Sequence, residues 1–412
     1  MSLKKNIIGL GVAQLFNYLL PFIQYPYLTR VLGTESFGLI MYACSIIVMM
    51  QVITDYGLEV YLTKKITDEK KSAEVLGQYL FESLVLKLLL LVLSLPLFFF
   101  IYINTILFNY PTLSLFIVFT MIVNALNPLW LYQGLEKTYI YAKTVITFKI
   151  TTLFFVFLLV KNENDYLLYL IVFFFSSFFT ILTLYIIIFL ELKITPIRVA
   201  FSNVISLIIS GFEYFISRAG ATLYITGCSV FLGSFSDLHQ VALYSSAEKL
   251  YIAGCGIFSP IITAFIPYMN RTKDYNLFYK VSILIFLISF IGVFMGFIFG
   301  EDILNITFGE DLILAKDTLN VLLIALSFSI MGMMFGYPAL MPIGLVKYAN
   351  LSVLLSGCIQ VGLFLIIILF GISITSFNIA ITFLISTMFT FFYRFFFFVK
   401  YNLKARNEVL VK

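Results

Sequence analysis

A succession of long apolar segments constrains the fold of this chain more than any other feature of its sequence. Twelve of them are long enough to cross a bilayer, because about 20 apolar residues at a rise of 1.5 Å each cover the hydrocarbon core. Of the 412 residues, 61% are hydrophobic and only 11% are charged, which is outside the range of soluble domains. We therefore predict an all-α integral membrane protein without a soluble domain. The predicted spans are residues 6–29, 37–62, 76–103, 111–134, 139–160, 166–190, 203–232, 239–267, 278–299, 318–341, 347–371 and 373–399.

The basic residues predict the orientation of these spans. Of the 26 Lys and Arg residues, 19 fall in the N-terminus, the even-numbered loops and the C-terminal tail, to which we assign Arg394. Only Arg30, Lys161 and Lys316 fall on the opposite side. Because cytoplasmic segments are rich in Lys and Arg, both termini are predicted to be cytoplasmic.

Two stretches separated by 210 residues indicate an internal repeat. They read NPLWLYQGLEK and YPALMPIGLVK, and the matching pairs are Pro128 and Pro338, Gly134 and Gly344, Leu135 and Leu345, and Lys137 and Lys347. Two halves that each cross the membrane six times must share one orientation. The pattern therefore predicts two six-helix lobes, residues 1–198 and 199–412, related by a parallel pseudo-twofold axis along the membrane normal.

Arg218 lies in the middle of the apolar stretch Ser202 to Leu232. A central arginine costs about 2.5–3.5 kcal/mol on insertion scales, and it keeps its proton. Glu213 precedes it by five residues, which places the two about 140° apart around a helix and makes a direct pair unfavourable. Two interpretations stay open: a structural ion pair with another helix, or a cationic site within the membrane.

Other polar residues within the spans are also candidates for function. Lys149 and Lys249 are central cations, although Lys249 could pair with Glu248, and Gln14, Asn17 and Gln24 share one face of the first span. Glu213 and Glu248 could hold the cations in place or take up protons. Lys87 is expected to extend towards the inner interface. Gln51, Asp55 and Glu59 follow one another at four-residue spacing near the end of the second span, where an interfacial role is expected.

Four stretches resemble a known family. NYLLPFIQYPYLTRVLGTESFGLIMY, TDYGLEVYLTKKI, LNPLWLYQGLEK and ALYSSAEKLYIAGCGIFSPIITAFIPYM are similar to the signatures of bacterial polysaccharide repeat-unit flippases of the Wzx type. These flippases are polysaccharide transporters of the multidrug/oligosaccharidyl-lipid/polysaccharide exporter superfamily. The chain departs from the pattern at Ala242, where glycine is frequent, and at Lys64 and Lys65, where arginine is common.

The resemblance implies a two-lobed carrier in the bacterial cytoplasmic membrane. Such a carrier moves an undecaprenyl-diphosphate-linked oligosaccharide from the inner to the outer leaflet by alternating access, for O-antigen or capsule synthesis. A diphosphate head group needs a hydrated cavity with fixed cations, because desolvating its charges is prohibitive. The expected substrate-binding residues are Arg218, Lys149, Lys249, Gln14, Asn17 and Gln24, and the ion-coupling candidates are Glu213, Glu248 and Asp55.

The expected partners are the lipid-linked substrate, membrane lipids, and a polysaccharide polymerase with its chain-length machinery. No metal centre is expected, because His239 is the only histidine and the four cysteines show no ligand spacing. No nucleic acid is expected, because the basic residues are scattered over loops, and no cofactor is expected beyond a coupling H⁺ or Na⁺. One alternative function is an ion-coupled multidrug extruder, for which the central cations are unfavourable. Another is a membrane enzyme acting on lipid-linked sugars, which would require a large outer loop.

The charge bias predicts the result of topology mapping. Reporter fusions after residues 70, 140, 275 and 412 should report a cytoplasmic position, and fusions near 108, 235 and 308 an external one. Reversed signals at two or more sites would contradict both the twelve-span count and the repeat.

Overall fold

The chain is helical throughout the part that the structure describes. The computed structural model describes residues 3–67, 72–198 and 201–410, with side chains for 20–67, 72–198 and 201–401. The α-helices are α1 Leu3–Asp55, α2 Leu58–Thr67, α3 Ala73–Asn104, α4 Pro111–Ala125, α5 Leu129–Gly134, α6 Thr138–Leu159, α7 Tyr166–Leu190, α8 Phe201–Ile225, α9 Gly227–Phe235, α10 Leu238–Thr272, α11 Tyr275–Phe308, α12 Lys316–Met334, α13 Tyr337–Leu340, α14 Val346–Leu369 and α15 Ser376–Leu410. Short 3₁₀ helices cover Ile106–Asn109, Glu163–Asp165, Glu310–Ala315 and Met341–Ile343.

Eleven helical segments in this part of the chain are long and apolar enough to cross a membrane. The prediction of an all-α membrane protein is therefore confirmed. The count differs from twelve because the first predicted span and most of the second belong to α1, which has 53 residues. A straight helix of that length would measure roughly 80 Å, more than twice the thickness of the hydrocarbon core. The helical geometry is interrupted at Gly33, whose φ of 72° is one that glycine adopts without a steric penalty.

The second predicted span does not continue to residue 62 as one helix. It is interrupted at Tyr56 and Gly57, whose φ angles are 46° and 68°. Helix α8 packs directly on this turn, since a Cβ at Gly57 would lie 2.6 Å from the Cβ of Tyr214. The ring of Tyr56 stacks on Phe215 with centroids 4.8 Å apart. The turn therefore sets the relative positions of Asp55 and Glu59, which a continuous helix would place on one face.

The predicted spans 111–134 and 318–341 are also interrupted, each just before a proline. Helix α4 ends at Ala125, ahead of Pro128, and α12 ends at Met334, ahead of Pro338. Proline has no N–H to donate and disfavours a helical residue before it. The last carbonyls of such a helix lack partners within the helix. Pro128 and Pro338 are one of the matching pairs of the internal repeat.

Arg394 lies inside α15, which corrects its assignment to the C-terminal tail. It is buried, with 9% of its surface exposed. Its guanidinium donates to Gly332 O at 2.6 Å, Ala349 O at 3.2 Å and Ser352 Oγ at 2.8 Å. Because Gly332 is in the last turn of α12, Arg394 satisfies a carbonyl at a helix C-terminus, where the helix dipole favours positive charge.

Packing divides the chain into two compact units. The first contains residues 1–219 and 233–235, and the second contains residues 220–232 and 236–412. The predicted lobe boundary between residues 198 and 199 concerns the repeat and stays a prediction.

The second unit contains a buried polar ladder between α14 and α15. Gln360 is fully buried, donates to Thr382 Oγ1 at 2.7 Å and accepts from Ser386 Oγ at 2.7 Å. Ser356 and Thr390 form a hydrogen bond of 2.5 Å one turn further along the two helices. Each polar group is satisfied, as burial requires.

A close helix crossing in the second unit predicts the effect of one added methyl group. A Cβ at Gly357 would lie 2.7 Å from Gly220 O, whereas one at Gly362, also in α14, would meet nothing within 4 Å. We expect Gly357→Ala to destabilise the protein by about 1–3 kcal/mol through overpacking. Gly362→Ala should be neutral or slightly stabilising, because alanine is the better helix former. Thermal unfolding of the purified protein in detergent checks both, and equal unfolding midpoints would contradict the close approach.

Candidate functional site

Four charged side chains from four helices form one cluster in the first unit. Asp55 is the last residue of α1, Glu59 is in the first turn of α2, Lys87 is in α3, and Arg218 is in α8. The cluster borders a polar cavity of about 230 Å³. The cavity is lined by Gln51, Asp55, Glu59, Asn127, Leu129, Trp130 and Arg218.

Asp55 lies between the two cations. Its Oδ1 is 3.5 Å from Lys87 Nζ, and its Oδ2 is 3.5 Å from Arg218 Nη1. Lys87 also donates to Asn127 O at 2.8 Å, the carbonyl just before Pro128. Only 2% of Lys87 is exposed, so the expectation that it extends to an interface is wrong. A buried ammonium needs such partners, because an unpaired charge in low dielectric is strongly destabilising.

Glu59 holds Arg218 and also connects two short helices. Its Oε2 accepts from Arg218 Nη1 at 2.6 Å, and its Oε1 accepts from Gln133 Nε2 at 3.3 Å. Thr63 Oγ1 lies 3.2 Å from both Trp130 O and Gln133 Oε1, so α2 is hydrogen-bonded to α5. The distance of 2.6 Å is that of a short, charge-assisted hydrogen bond.

The guanidinium of Arg218 is only partly engaged. Both of its ion pairs use Nη1, and its side chain is 38% exposed. The edge formed by Nε and Nη2 makes no hydrogen bond within the described part of the chain. Two carboxylates and two cations make the cluster formally neutral, where the sequence had suggested an excess of positive charge.

The structure brings together only some of the predicted site residues. Arg218 and Asp55 meet, whereas Glu213 is exposed on α8 and Lys149 is exposed on α6. Lys249 is in the second unit, with its Nζ 3.2 Å from Glu248 Oε2, so the pairing considered for them is confirmed. The ion-pair partners of Arg218 are Asp55 and Glu59, and Glu213 and Glu248 form no ion pair with it within the described residues.

The polar face of the first span is described only in part. The side chains of Gln14 and Asn17 lie outside the described residues. Gln24 is half-buried, and its Nε2 is buried without a hydrogen-bond partner within the described ranges. Its role in substrate binding therefore stays a prediction.

Sequence reasoning missed Glu59, Lys87 and Gln133 as members of the site. The available signal was a lysine at position 87 within an apolar span, which needs a counter-ion. The four-residue spacing of Gln51, Asp55 and Glu59 was the matching acidic signal. This signal predicts an interfacial role instead, because Asp55 and Glu59 lie near the end of the predicted span.

Comparison with known proteins identifies the family. A family model described as "Polysaccharide biosynthesis protein" matches residues 3–273. The chain belongs to this family. Two curated proteins named "Putative O-antigen transporter" are similar to this chain. The one from Escherichia coli (strain K12) is 26% identical over 282 residues, 67% of each chain. The one from Shigella dysenteriae is 29% identical over 286 residues, 68% of this chain and 71% of the relative.

Solved structures share the fold of this chain. The lipid II flippase MurJ, in an inward closed conformation, superposes with a TM-score of 0.67 at 14% identity, covering 97% of this chain and 91% of MurJ. An inward-facing MATE multidrug resistance transporter of the MOP superfamily gives 0.66 at 15% identity, with coverage of 97% and 99%. Together with the family model, these likenesses confirm the resemblance drawn from the sequence motifs.

The pairing of Lys87 predicts a loss of stability when its charge is removed. Lys87→Met should destabilise the protein by about 3 kcal/mol or more, because Asp55 loses one of its two cations in a buried setting. Adding Asp55→Asn to Lys87→Met should recover part of the lost stability. As a control, Lys143→Met removes an exposed lysine on α6 and should have little effect on stability. The measurement is the midpoint of thermal unfolding in detergent. Strictly additive effects of the two substitutions would contradict the interaction.

Proposed function

We propose that this protein is a flippase for lipid-linked oligosaccharides in the bacterial cytoplasmic membrane. It transfers undecaprenyl-diphosphate-linked repeat units to the outer leaflet, where they serve surface polysaccharide synthesis. Family membership, relatives named as O-antigen transporters and a fold shared with a lipid II flippase support this transport function. Partners would include membrane lipids, and a polymerase that uses the exported units.

The observation that carries the proposal is the open edge of Arg218 beside a polar cavity. The Nε and Nη2 groups of a guanidinium form a planar fork that matches two phosphate oxygens. Arg218 lines a cavity of about 230 Å³, whose other polar lining residues can keep it hydrated. In this proposal Arg218 binds the diphosphate, while Lys149 and Lys249 contribute further positive charge along the route.

The proposed carrier has twelve spans in two lobes with a parallel pseudo-twofold relation and both termini in the cytoplasm. The interruption of α1 at Gly33 supports counting α1 as two spans. The interruptions before Pro128 and Pro338 support the repeat, because they fall at matched positions. The proposed mechanism is alternating access, in which one lobe moves against the other around the binding site. Coupling to H⁺ or Na⁺ would involve Asp55, Glu213 or Glu248.

The second candidate, a multidrug extruder, is favoured by the similarity to a MATE transporter but less by the site itself. A carrier of cationic compounds needs carboxylates that lack a resident cation. Asp55 and Glu59 are both occupied by Arg218, and Asp55 additionally by Lys87. Since Arg218 keeps its charge at any physiological pH, these acids are poorly suited to bind a second cation.

Substitution of Arg218 tests the proposal. Arg218→Gln should abolish surface polysaccharide in a strain that lacks this gene, because the head group loses its cationic ligand. The protein should remain in the membrane fraction at normal levels. Arg218→Lys should retain part of the export, since the charge persists while the fork is lost. The measurement is complementation of surface display, with membrane-fraction protein levels measured in parallel.

The double variant Arg218→Gln with Glu59→Gln separates a ligand from a structural partner. If the positive charge itself is required, the double variant should stay inactive. If Arg218 only neutralises Glu59, removing both charges should restore export, and the proposed role of Arg218 would be wrong. A fully active Arg218→Gln protein would also exclude that role.

A further inference from the structure

The polar cavity has room and hydrogen-bond donors for one phosphate group without displacing the resident ion pairs. A volume of about 230 Å³ is several times the roughly 30 Å³ share of a water molecule. Arg218 lines it, and so does Gln51, whose side chain makes no hydrogen bond to any described residue. An anion can thus be held by a guanidinium fork and an amide while Nη1 stays bound to Glu59.

The charges around the cavity set how tightly such an anion is held. Asp55 and Glu59 together cancel the charges of Lys87 and Arg218, so a phosphate meets a locally neutral cluster. The two carboxylates repel the phosphate, and effective dielectric constants within proteins are low enough for this repulsion to matter at a few ångströms. A carrier must bind its ligand firmly enough to select it and weakly enough to release it.

We propose that Glu59 is the residue that promotes release of the anionic head group from Arg218. Through Oε2 it fixes the orientation of the guanidinium, and through its negative charge it lowers the affinity of the open edge for phosphate. This inference rests on the proposed function, in which Arg218 binds the diphosphate of the substrate. Glu59 is thereby a positioning and affinity-setting residue that need not contact the substrate.

Glu59 is better suited to this role than Asp55. Asp55 is the only carboxylate within 4.0 Å of Lys87 among the described residues, so its neutralisation leaves a buried ammonium unpaired. Neutralising Glu59 leaves Lys87 with Asp55 and Asn127 O, and leaves Arg218 with Asp55 at 3.5 Å. Glutamine at position 59 keeps the shape and an oxygen that can accept from Arg218. The charge of Glu59 can therefore be removed while the rest of the cluster stays in place.

The test compares binding and transport in the same variant. Inorganic pyrophosphate is titrated into the purified full-length protein in detergent by calorimetry, and export is measured by complementation at matched membrane levels. We expect Glu59→Gln to lower the Kd for pyrophosphate at least tenfold, equivalent to about 1.4 kcal/mol, and to reduce export. A purely structural role would weaken both binding and export, so opposite changes identify the release function.

Two controls complete the experiment. Glu136→Gln removes an exposed carboxylate just beyond α5 and should leave the Kd and export unchanged. Glu59→Met is a second neutral variant in case the glutamine variant does not accumulate, and tighter binding in either one supports the proposal. Glu59→Asp keeps the charge and should remain within about threefold of the wild-type Kd, since the expected tenfold change comes from charge alone.

The possible failures are distinguishable. An unchanged Kd in both neutral variants, with binding lost in Arg218→Gln, would overturn the release role and leave Arg218 as the ligand. Tighter binding with wild-type export would also overturn it, because release would then not limit transport. Pyrophosphate binding that survives Arg218→Gln would instead overturn the assignment of Arg218 in the proposed function.

Discussion

The carboxylate of Asp55, shared by Lys87 and Arg218, is the interaction on which the first unit depends. Both cations lie in predominantly apolar helices, and each would be strongly destabilising there without a counter-ion. Asp55 reaches both because α1 ends at this residue, so that its side chain is not confined to one face of a continuing helix. The close packing of α8 on the Tyr56–Gly57 turn brings Arg218 to the same place. The ion pairs of Asp55 and the turn between α1 and α2 thus occur at the same point of the chain.

Buried cations at interrupted helices recur in the two units. In the first unit, Lys87 donates to Asn127 O, just before Pro128. In the second unit, Arg394 donates to Gly332 O in the last turn of α12, shortly before Pro338. An interrupted helix exposes carbonyls with partial negative charge, and a cation is a suitable partner in surroundings without water. The difference is that Lys87 also meets a carboxylate, whereas Arg394 forms no ion pair within the described residues. In the first unit, the carboxylate partner of this cation, Asp55, also lines the polar cavity.

Periodicity and hydropathy were sufficient to predict the class of fold and the unusual position of Arg218. They were not sufficient to identify its partners, because spacing arguments assume a continuous helix between the residues compared. Asp55 and Glu59 were placed on one face by that assumption, yet the turn at Tyr56 and Gly57 separates them. Nothing local in the sequence shows that α8 packs on this turn, since the contact joins residues about 160 positions apart. Arg394 was assigned to a tail because hydropathy does not distinguish a buried guanidinium from an interfacial one.

The formally neutral charge of the cluster bears on whether the cavity favours anionic or cationic ligands. An excess of positive charge in a membrane cavity would hold a diphosphate so tightly that it could not leave, and would be unstable when empty. In the proposed flippase, resident carboxylates would reduce both effects, because they would satisfy the guanidinium between transport cycles and oppose the anion when it is bound. The same carboxylates would bind cationic compounds poorly, since their charge is already matched by groups that do not dissociate. The geometry of Arg218, engaged through Nη1 and open along Nε and Nη2, allows both conditions to hold together. A single side chain can then serve as structural partner and as ligand, with its acidic neighbours setting the strength of the second role.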